Sequence, residues 1–293
     1  MVARPLKIGR LRNHLAPTRI ETDFMTATPA TTIRTRSRRG FPLRQYLDLI
    51  ITLTHKEVKV RYKNNVLGYL WSIANPLASA LVFYFALQVI LRSNVENYVV
   101  FLTIGLFAWQ WYANFLMGAC GVFLANGSLI KKSVFPRFVL PIALNLQDTF
   151  HYVMSVPVTL GFLWAYGLPI GWNIVVGMVV IIPAQFFLLL GLGMAIGSCN
   201  LFFRDMERIL GIVLNMMFYL SPVIYPIDRV PEPYRHFMHL NPMTPLIEAW
   251  RGVFMKNTIQ WHDIGIVYLY AAIAMAIGIY VYRKLQYRFA EVI

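Results

Sequence analysis

The chain has 293 residues, of which 58% are hydrophobic and 14% charged, and its formal net charge is +14. Water-soluble domains average about 25% charged and roughly 45–50% apolar residues, so this sequence has too little polar surface to cover its apolar side chains in water. Composition therefore excludes a soluble globular domain and points to an integral membrane protein, whose lipid-facing positions are apolar as well.

Residues 1–40 hold nine Lys/Arg against Glu21 and Asp23, with many Thr and Pro and no apolar run. That is not a secretory signal, and such a composition cannot bury a core. A disordered basic cytoplasmic arm is expected; its Arg- and Thr-rich, acid-poor character also fits an organellar transit peptide. Over residues 41–67 the pattern turns helical. Leu43, Leu47, Ile50, Ile51 and Val58 share one face, and Arg44, Asp48, His55, Lys56, Lys59 and Lys63 the other. Just ahead of a span, this predicts an amphipathic helix lying in the headgroup layer, with an ordinary cytoplasmic helix as the alternative. Arg61, Tyr62 and Lys63 would meet headgroups, Gly68 would turn the chain, and Trp71 would anchor at the interface. Pro76 then leaves the Ser72 carbonyl unpaired, which is tolerable only against protein or water.

Residues 68–293 read as a six-span domain. Residues 68–91 and 97–130 are uncharged for 24 and 34 residues, where one crossing needs about 20. The second run is expected to be a long or bent helix loosened at its inner end by Gly118, Gly121 and Gly127. Between 138 and 203 the only formal charge is Asp148. The turn signal YGLPIGW (166–172) divides that run into two spans. Residues 209–227 and 264–282 complete the set. The predicted fold class is thus all-α integral membrane, with six transmembrane helices, an N-terminal interfacial helix, and short re-entrant helices between spans 5 and 6.

Six spans put both termini on one side, and charge says which. That side holds +7 in residues 1–40, +3 in 41–67, +3 in the loop with Lys131, Lys132 and Arg137, and +2 in the tail from Arg283. The loops on the other side each sum to 0. By the positive-inside rule the termini are cytoplasmic. The cations follow loop topology, so nucleic acid is not the expected partner; anionic membrane lipids are.

Several residues carry candidate functions. In SLIKKSVFPRFVLP (128–141), Phe135-Pro136 framed by Lys132 and Arg137 suits a rigid knob for a partner's groove. Arg204, Asp205, Glu207 and Arg208 are net neutral; they either contact a partner or brace a helix start. Asp148 and His151 share a face within a span, with Ser155 one turn on. They form either a buried pair near the inner end or a polar lining. Trp109 and Tyr112 share a face and, with Trp71 and Tyr84, could offer rings to a sugar path or simply pack. On the far side Ser221-Pro222 and Tyr225-Pro226 stop a helix. After Asn241-Pro242, Thr244 can cap a new one with Pro245 at its first position. Leu246, Ile247, Trp250, Val253 and Phe254 would face inward as a re-entrant element, or the segment would rest on the membrane. Cys120 and Cys199 lie in apolar runs with no metal-ligand spacing; no metal site is expected. GLGMAIGS (191–198) lacks the lysine of a phosphate loop, so any ATP and Mg are expected on a partner and no cofactor on this chain.

Four ordered segments carry a resemblance. RYKNNVLGYLWSIANPL (61–77), SLIKKSVFPRFVLP, NLFFRDMERIL (200–210), and YLSPVIYP (219–226) with LNPMTPLIEAWR (240–251) are similar to ABC transporter type-2 permeases of the polysaccharide, O-antigen and teichoic acid export family. The resemblance covers about residues 40–293. It implies a homodimer docked on two copies of an ATP-binding cassette subunit in the bacterial inner membrane. The implied cargo is a glycan on undecaprenyl diphosphate. It also implies ATPase-coupling loops at Lys131–Arg137 and Arg204–Glu207, and an outer gate at Ser221, Pro222, Tyr225, Pro226, Asn241 and Pro242. Two alternatives stay open. One is a membrane glycosyl- or acyltransferase using the acids and histidines of residues 228–263; the other is the same fold moving a small hydrophobic molecule.

Overall fold

A computed structural model describes residues 42–62, 70–90, 92, 95–132 and 135–292. The basic arm and the turn around Gly68 lie outside the described residues. Every regular element among the described residues is helical: α1 (Leu43–Tyr62), α2 (Leu70–Phe83), α3 (Tyr98–Ala125), α4 (Gly127–Lys132), α5 (Val139–Ala165), α6 (Trp172–Asn200), α7 (Met206–Leu220), α8 (Glu232–His239), α9 (Met243–Lys256), α10 (Trp261–Leu285) and α11 (Phe289–Val292).

Four segments are long and apolar enough to cross a membrane: Ile73–Ile90, Tyr98–Ala125, Trp172–Asn200 and Trp261–Arg288. These match four of the six expected spans. The other two expected spans are helices of different character. α5 has 27 residues but carries Asn145, Gln147, Asp148 and His151. α7 has 15 residues, roughly 22 Å at 1.5 Å per residue, short of a hydrocarbon layer about 30 Å thick.

α3 is the central post. It is buried for most of its length and packs against α5, α6, α9, α2 and α7. Three buried amides fasten it. Asn145 accepts the Trp111 indole N–H at 3.2 Å and donates to the Phe186 carbonyl at 2.9 Å. Gln185 donates to the Ala108 carbonyl at 3.2 Å and accepts the Trp250 indole N–H at 3.0 Å. Asn200 donates to the Cys120 carbonyl at 2.8 Å. In lipid no hydrophobic force separates helix faces, so polar bonds of this kind and small-residue contacts decide which faces meet. The small-residue contact is the α6–α10 crossing, where Gly191 and Gly278 bring the backbones together and a Cβ at either would strike main-chain atoms of the other helix.

The ends of the elements differ from expectation in instructive ways. The run 97–130, expected as a long or bent helix loosened by its glycines, breaks outright at Asn126, just before Gly127, and the Asn126 side chain turns back to the Val122 carbonyl at 2.9 Å. α2 runs through Pro76 and widens into a π-helical turn at Tyr84–Ile90. α1 carries apolar residues on two sides. Tyr46, Leu49, Ile50 and Leu53 pack on the bundle beside α5. Leu43, Leu47 and Ile51 are exposed. A single stripe was expected; two are needed because protein and lipid are both apolar neighbours.

Candidate functional site

The two ends of the bundle are chemically distinct. The basic end holds Lys131 and Lys132, both exposed on α4. Beyond them Phe135 is half-buried and packs on the core cluster of Phe123, Tyr282 and Phe289, so it is not the free knob expected from sequence. Arg137 donates to the Gln286 carbonyl at 2.7 Å and lies 5.8 Å over the Phe289 ring. The segment Phe135–Phe138 and the turn bearing Tyr282, Gln286 and Tyr287 border a cleft of about 440 Å³. Sequence gave no signal for this partnership of the loop with the chain's last turn. Arg204, Asp205, Glu207 and Arg208 are exposed, and among the described residues they form no ion pair. The expected brace between Glu207 and the two arginines is therefore not made. Glu207 instead sits in the first turn of α7, where its charge complements the helix dipole. Arg61 and Tyr62 end α1, but their side chains, like all of Lys63, lie outside the described residues.

At mid-depth α3 and α5 enclose a polar cavity of about 30 Å³, lined by Gln110, Asn114, Asp148, His151 and Ser155 with Phe107, Trp111 and Tyr152. Asp148, His151 and Ser155 thus share one site, as their spacing predicts. Asp148 stands nine residues into α5, roughly 14 Å from its start, rather than near the inner end. The space suffices for a water molecule.

Trp109 and Tyr112 need correction. Both are buried, stacked on each other with ring centroids 5.5 Å apart, and Trp109 also meets Phe218 at 5.5 Å. They are packing residues of α3 and offer no ring to a passage. Trp71 on α2 and Tyr84, the first residue of the π-helical turn that follows it, are exposed.

At the far end the expected gate residues converge. Asn241 donates to Ser221 Oγ at 2.7 Å, and its own Oδ1 accepts the Met243 N–H at 3.0 Å. Asn241 therefore caps α9; Thr244, the expected cap, is buried with no partner for its hydroxyl. Pro222 is buried, while Tyr225 and Pro226 are half-buried, Tyr225 donating to the Tyr219 carbonyl at 3.0 Å. α9 is buried nearly all round against α3, α6 and α10, so it is inserted in the bundle and does not rest on its surface. Leu246, Ile247, Trp250, Val253 and Phe254 are all buried, as predicted.

The residue that sequence reasoning missed is Arg251. Its side chain is only 4% exposed. It donates to Glu248 at 3.1 Å and to the Val223 carbonyl at 2.8 Å, and its guanidinium lies 3.3 Å over the Phe101 ring. Burial lowers its pKa from the ordinary arginine value to about 10, with Glu248 acting in the opposite sense, so it stays charged at neutral pH. A cation at the C-terminal end of the motif LNPMTPLIEAWR was the available signal.

The model of a family described as "ABC-2 type transporter" matches residues 48–255. The chain belongs to that family. The match to this ABC-2 chain runs from α1 to α9 and takes in all four motif segments whole. The ABC-2 chain is also 39% identical over 246 residues to the O-antigen export system permease protein RfbA of Klebsiella pneumoniae, covering 84% of this chain and 95% of that one. It is 32% identical to the protein of the same name from Myxococcus xanthus, over 74% of this chain and 84% of that one. To the polysialic acid transport protein KpsM of Escherichia coli it is 23% identical, over 84% and 96% of the two chains.

Proposed function

We propose that this ABC-2 chain is the transmembrane subunit of an ATP-driven exporter that moves a lipid-linked polysaccharide across the bacterial inner membrane. The observation that carries the reading is 39% identity across 95% of an O-antigen export permease. Relatives in three organisms bear the names of polysaccharide permeases or transport proteins, which favours transport over a transferase. Among the cargoes considered, O-antigen is preferred to teichoic acid, and undecaprenyl diphosphate is the proposed carrier. ATP and Mg belong to a separate ATP-binding subunit, two copies per complex.

The proposed topology keeps six spans, with α5 and α7 as the third and fifth and both termini cytoplasmic. The distribution of Lys and Arg supports it. Lys131, Lys132, the Phe135–Phe138 cleft and the exposed Arg204–Glu207 turn are the proposed ATPase contacts. A second copy is proposed to face α2 and α7. These helices meet through Phe83 and Phe218, with ring centroids 5.8 Å apart, and leave the amides of Asn75 and Asn215 exposed. An amide in contact with lipid is costly, which favours a polar passage on that side. Trp71 and Tyr84 remain the proposed aromatic lining, with Asp148 and His151 set back behind α3.

The test is deletion of the chain in its native cell, followed by complementation. Undecaprenyl-linked polymer should accumulate on the inner leaflet and vanish from the cell surface. Both should revert on co-expression of the chain with its ATP-binding partner. Surface polymer that persists without the chain would overturn the reading.

A further inference from the structure

α7 is lightly held in the bundle. Only Leu210 and Leu214 are buried along it. At one end it starts from the exposed, charged Arg204–Arg208 turn; at the other it stops at Ser221-Pro222. From that stop onward the chain is fixed at three closely spaced points. Asn241 holds the Ser221 hydroxyl at 2.7 Å, Arg251 holds the Val223 carbonyl at 2.8 Å, and the Tyr98 hydroxyl donates to the Ile224 carbonyl at 2.7 Å. Of these three, only Arg251 is both charged and wholly enclosed. It reaches Val223 through a gap that α3 leaves at Gly105, where a Cβ would stand 3.0 Å from the Val223 oxygen and 3.1 Å from Arg251 Nη2.

A helix with little lateral burial moves as a rod, and its ends decide where the motion goes. A carbonyl pinned by a charge-assisted bond in a water-poor site is a fixed point. At Val223 itself the hold is one side-chain bond, so that point is freed when this bond is lost. Arg251 Nε has no hydrogen-bond partner among the described residues, but Glu248 and the Phe101 ring stay on the guanidinium, so the cation keeps a counter-charge when Val223 leaves.

We propose that Arg251 is a positioning residue that latches the outer end of α7: displacement of the Arg204–Arg208 turn by the ATPase opens the Ser221–Pro226 loop only by breaking the Arg251–Val223 bond. The proposal rests on the export reading for the identity of the moving partner. The latch itself is a property of this chain.

The experiment places a reporter at Val223, which is wholly buried. Val223→Cys is made in a chain with Cys120→Ala and Cys199→Ser, and its reaction with a membrane-impermeant maleimide is timed in intact cells. Arg251→Met should raise the labelling rate about tenfold, the shift expected when one charge-assisted bond to a buried carbonyl is lost. Arg251→Lys should fall between, since a lysine cannot hold carbonyl, carboxylate and ring together. Gly105→Ala, which wedges the same gap while leaving the arginine in place, should also accelerate labelling. In the reconstituted complex, Arg251→Met should hydrolyse ATP at the wild-type rate but export less polymer per ATP, a split that simple misfolding does not produce.

Unchanged labelling in an Arg251→Met chain of normal membrane abundance overturns the latch. If that variant fails to insert, unchanged labelling in Gly105→Ala overturns it. Labelling requires neither polysaccharide nor ATPase. Its failure therefore leaves the export reading standing, whereas accelerated labelling in a chain that exports nothing would sink the export reading and keep the latch.

Discussion

The Gln185 side-chain oxygen on α6 accepts the Trp250 indole N–H on α9 at 3.0 Å, and both side chains are wholly buried. The same amide donates to the Ala108 carbonyl of α3, so one side chain ties three helices together. Gln185→Leu keeps the volume but orphans a buried donor and a buried acceptor. We expect a loss of about 1–3 kcal/mol, read as a lower unfolding midpoint in detergent. Gln185→Glu should do worse, because it buries a charge beside a carbonyl. A midpoint unchanged in Gln185→Leu would show that the amide is incidental.

The α6–α10 crossing makes a sharper contrast between two glycines of one helix. A Cβ at Gly278 would meet the Gly191 backbone, while at Gly265 nothing lies within 4 Å. Gly265→Ala should be neutral or stabilising by up to about 1 kcal/mol, from helix propensity alone. Gly278→Ala should cost about 1–3 kcal/mol through overpacking. Detergent unfolding of the two variants, side by side, separates packing from propensity. Equal effects would mean that α10 can slide to make room.

These two cases show where the sequence stops being informative. The order of spans, the break in the far loop and the inward face of α9 were legible, because each leaves a mark along the chain: an uncharged run, a pair of prolines, a helical period. The partners of a face leave none. α3 and α6 are apolar nearly all round, since lipid and protein are alike to them, so no stripe distinguishes Trp109 and Tyr112, which are packed away, from Trp71, which is exposed. Arg251 illustrates the converse. As one cation in a loop that is electrically neutral overall, it reads in sequence as ordinary loop charge, and only the convergence of Val223, Glu248 and Phe101 around it gives it a role.

α1 is tied to the end of α3 by one bond. Lys56 Nζ donates to Asn126 Oδ1 at 2.8 Å, where Asn126 breaks the helix ahead of α4. Lys56→Met and Asn126→Ala should each loosen α1, by about 1 kcal/mol. Amide exchange over residues 43–62 should quicken in both. The double variant should add little to either single one, because both remove the same contact. Additive effects would assign the two residues to separate jobs.

The last turn of the chain offers a test that separates stability from docking. Phe289 is wholly buried, with its ring 4.9 Å from Phe123 and 5.9 Å from Tyr282, under the guanidinium of Arg137. Two residues earlier Tyr287 is the most exposed large hydrophobic side chain among the described residues and borders the cleft beside Phe135. Phe289→Ala removes a core ring and should cost about 3–5 kcal/mol, visible as lost membrane abundance. Tyr287→Ala removes nothing buried, so abundance should hold within about 0.5 kcal/mol of wild type. If the ATPase seats in this cleft, Tyr287→Ala should still weaken co-purification of the partner, because exposed aromatics that become buried dominate interface energies. A Tyr287→Ala chain that is stable and retains its partner in full would move the docking surface off this cleft and onto the Arg204–Arg208 turn alone.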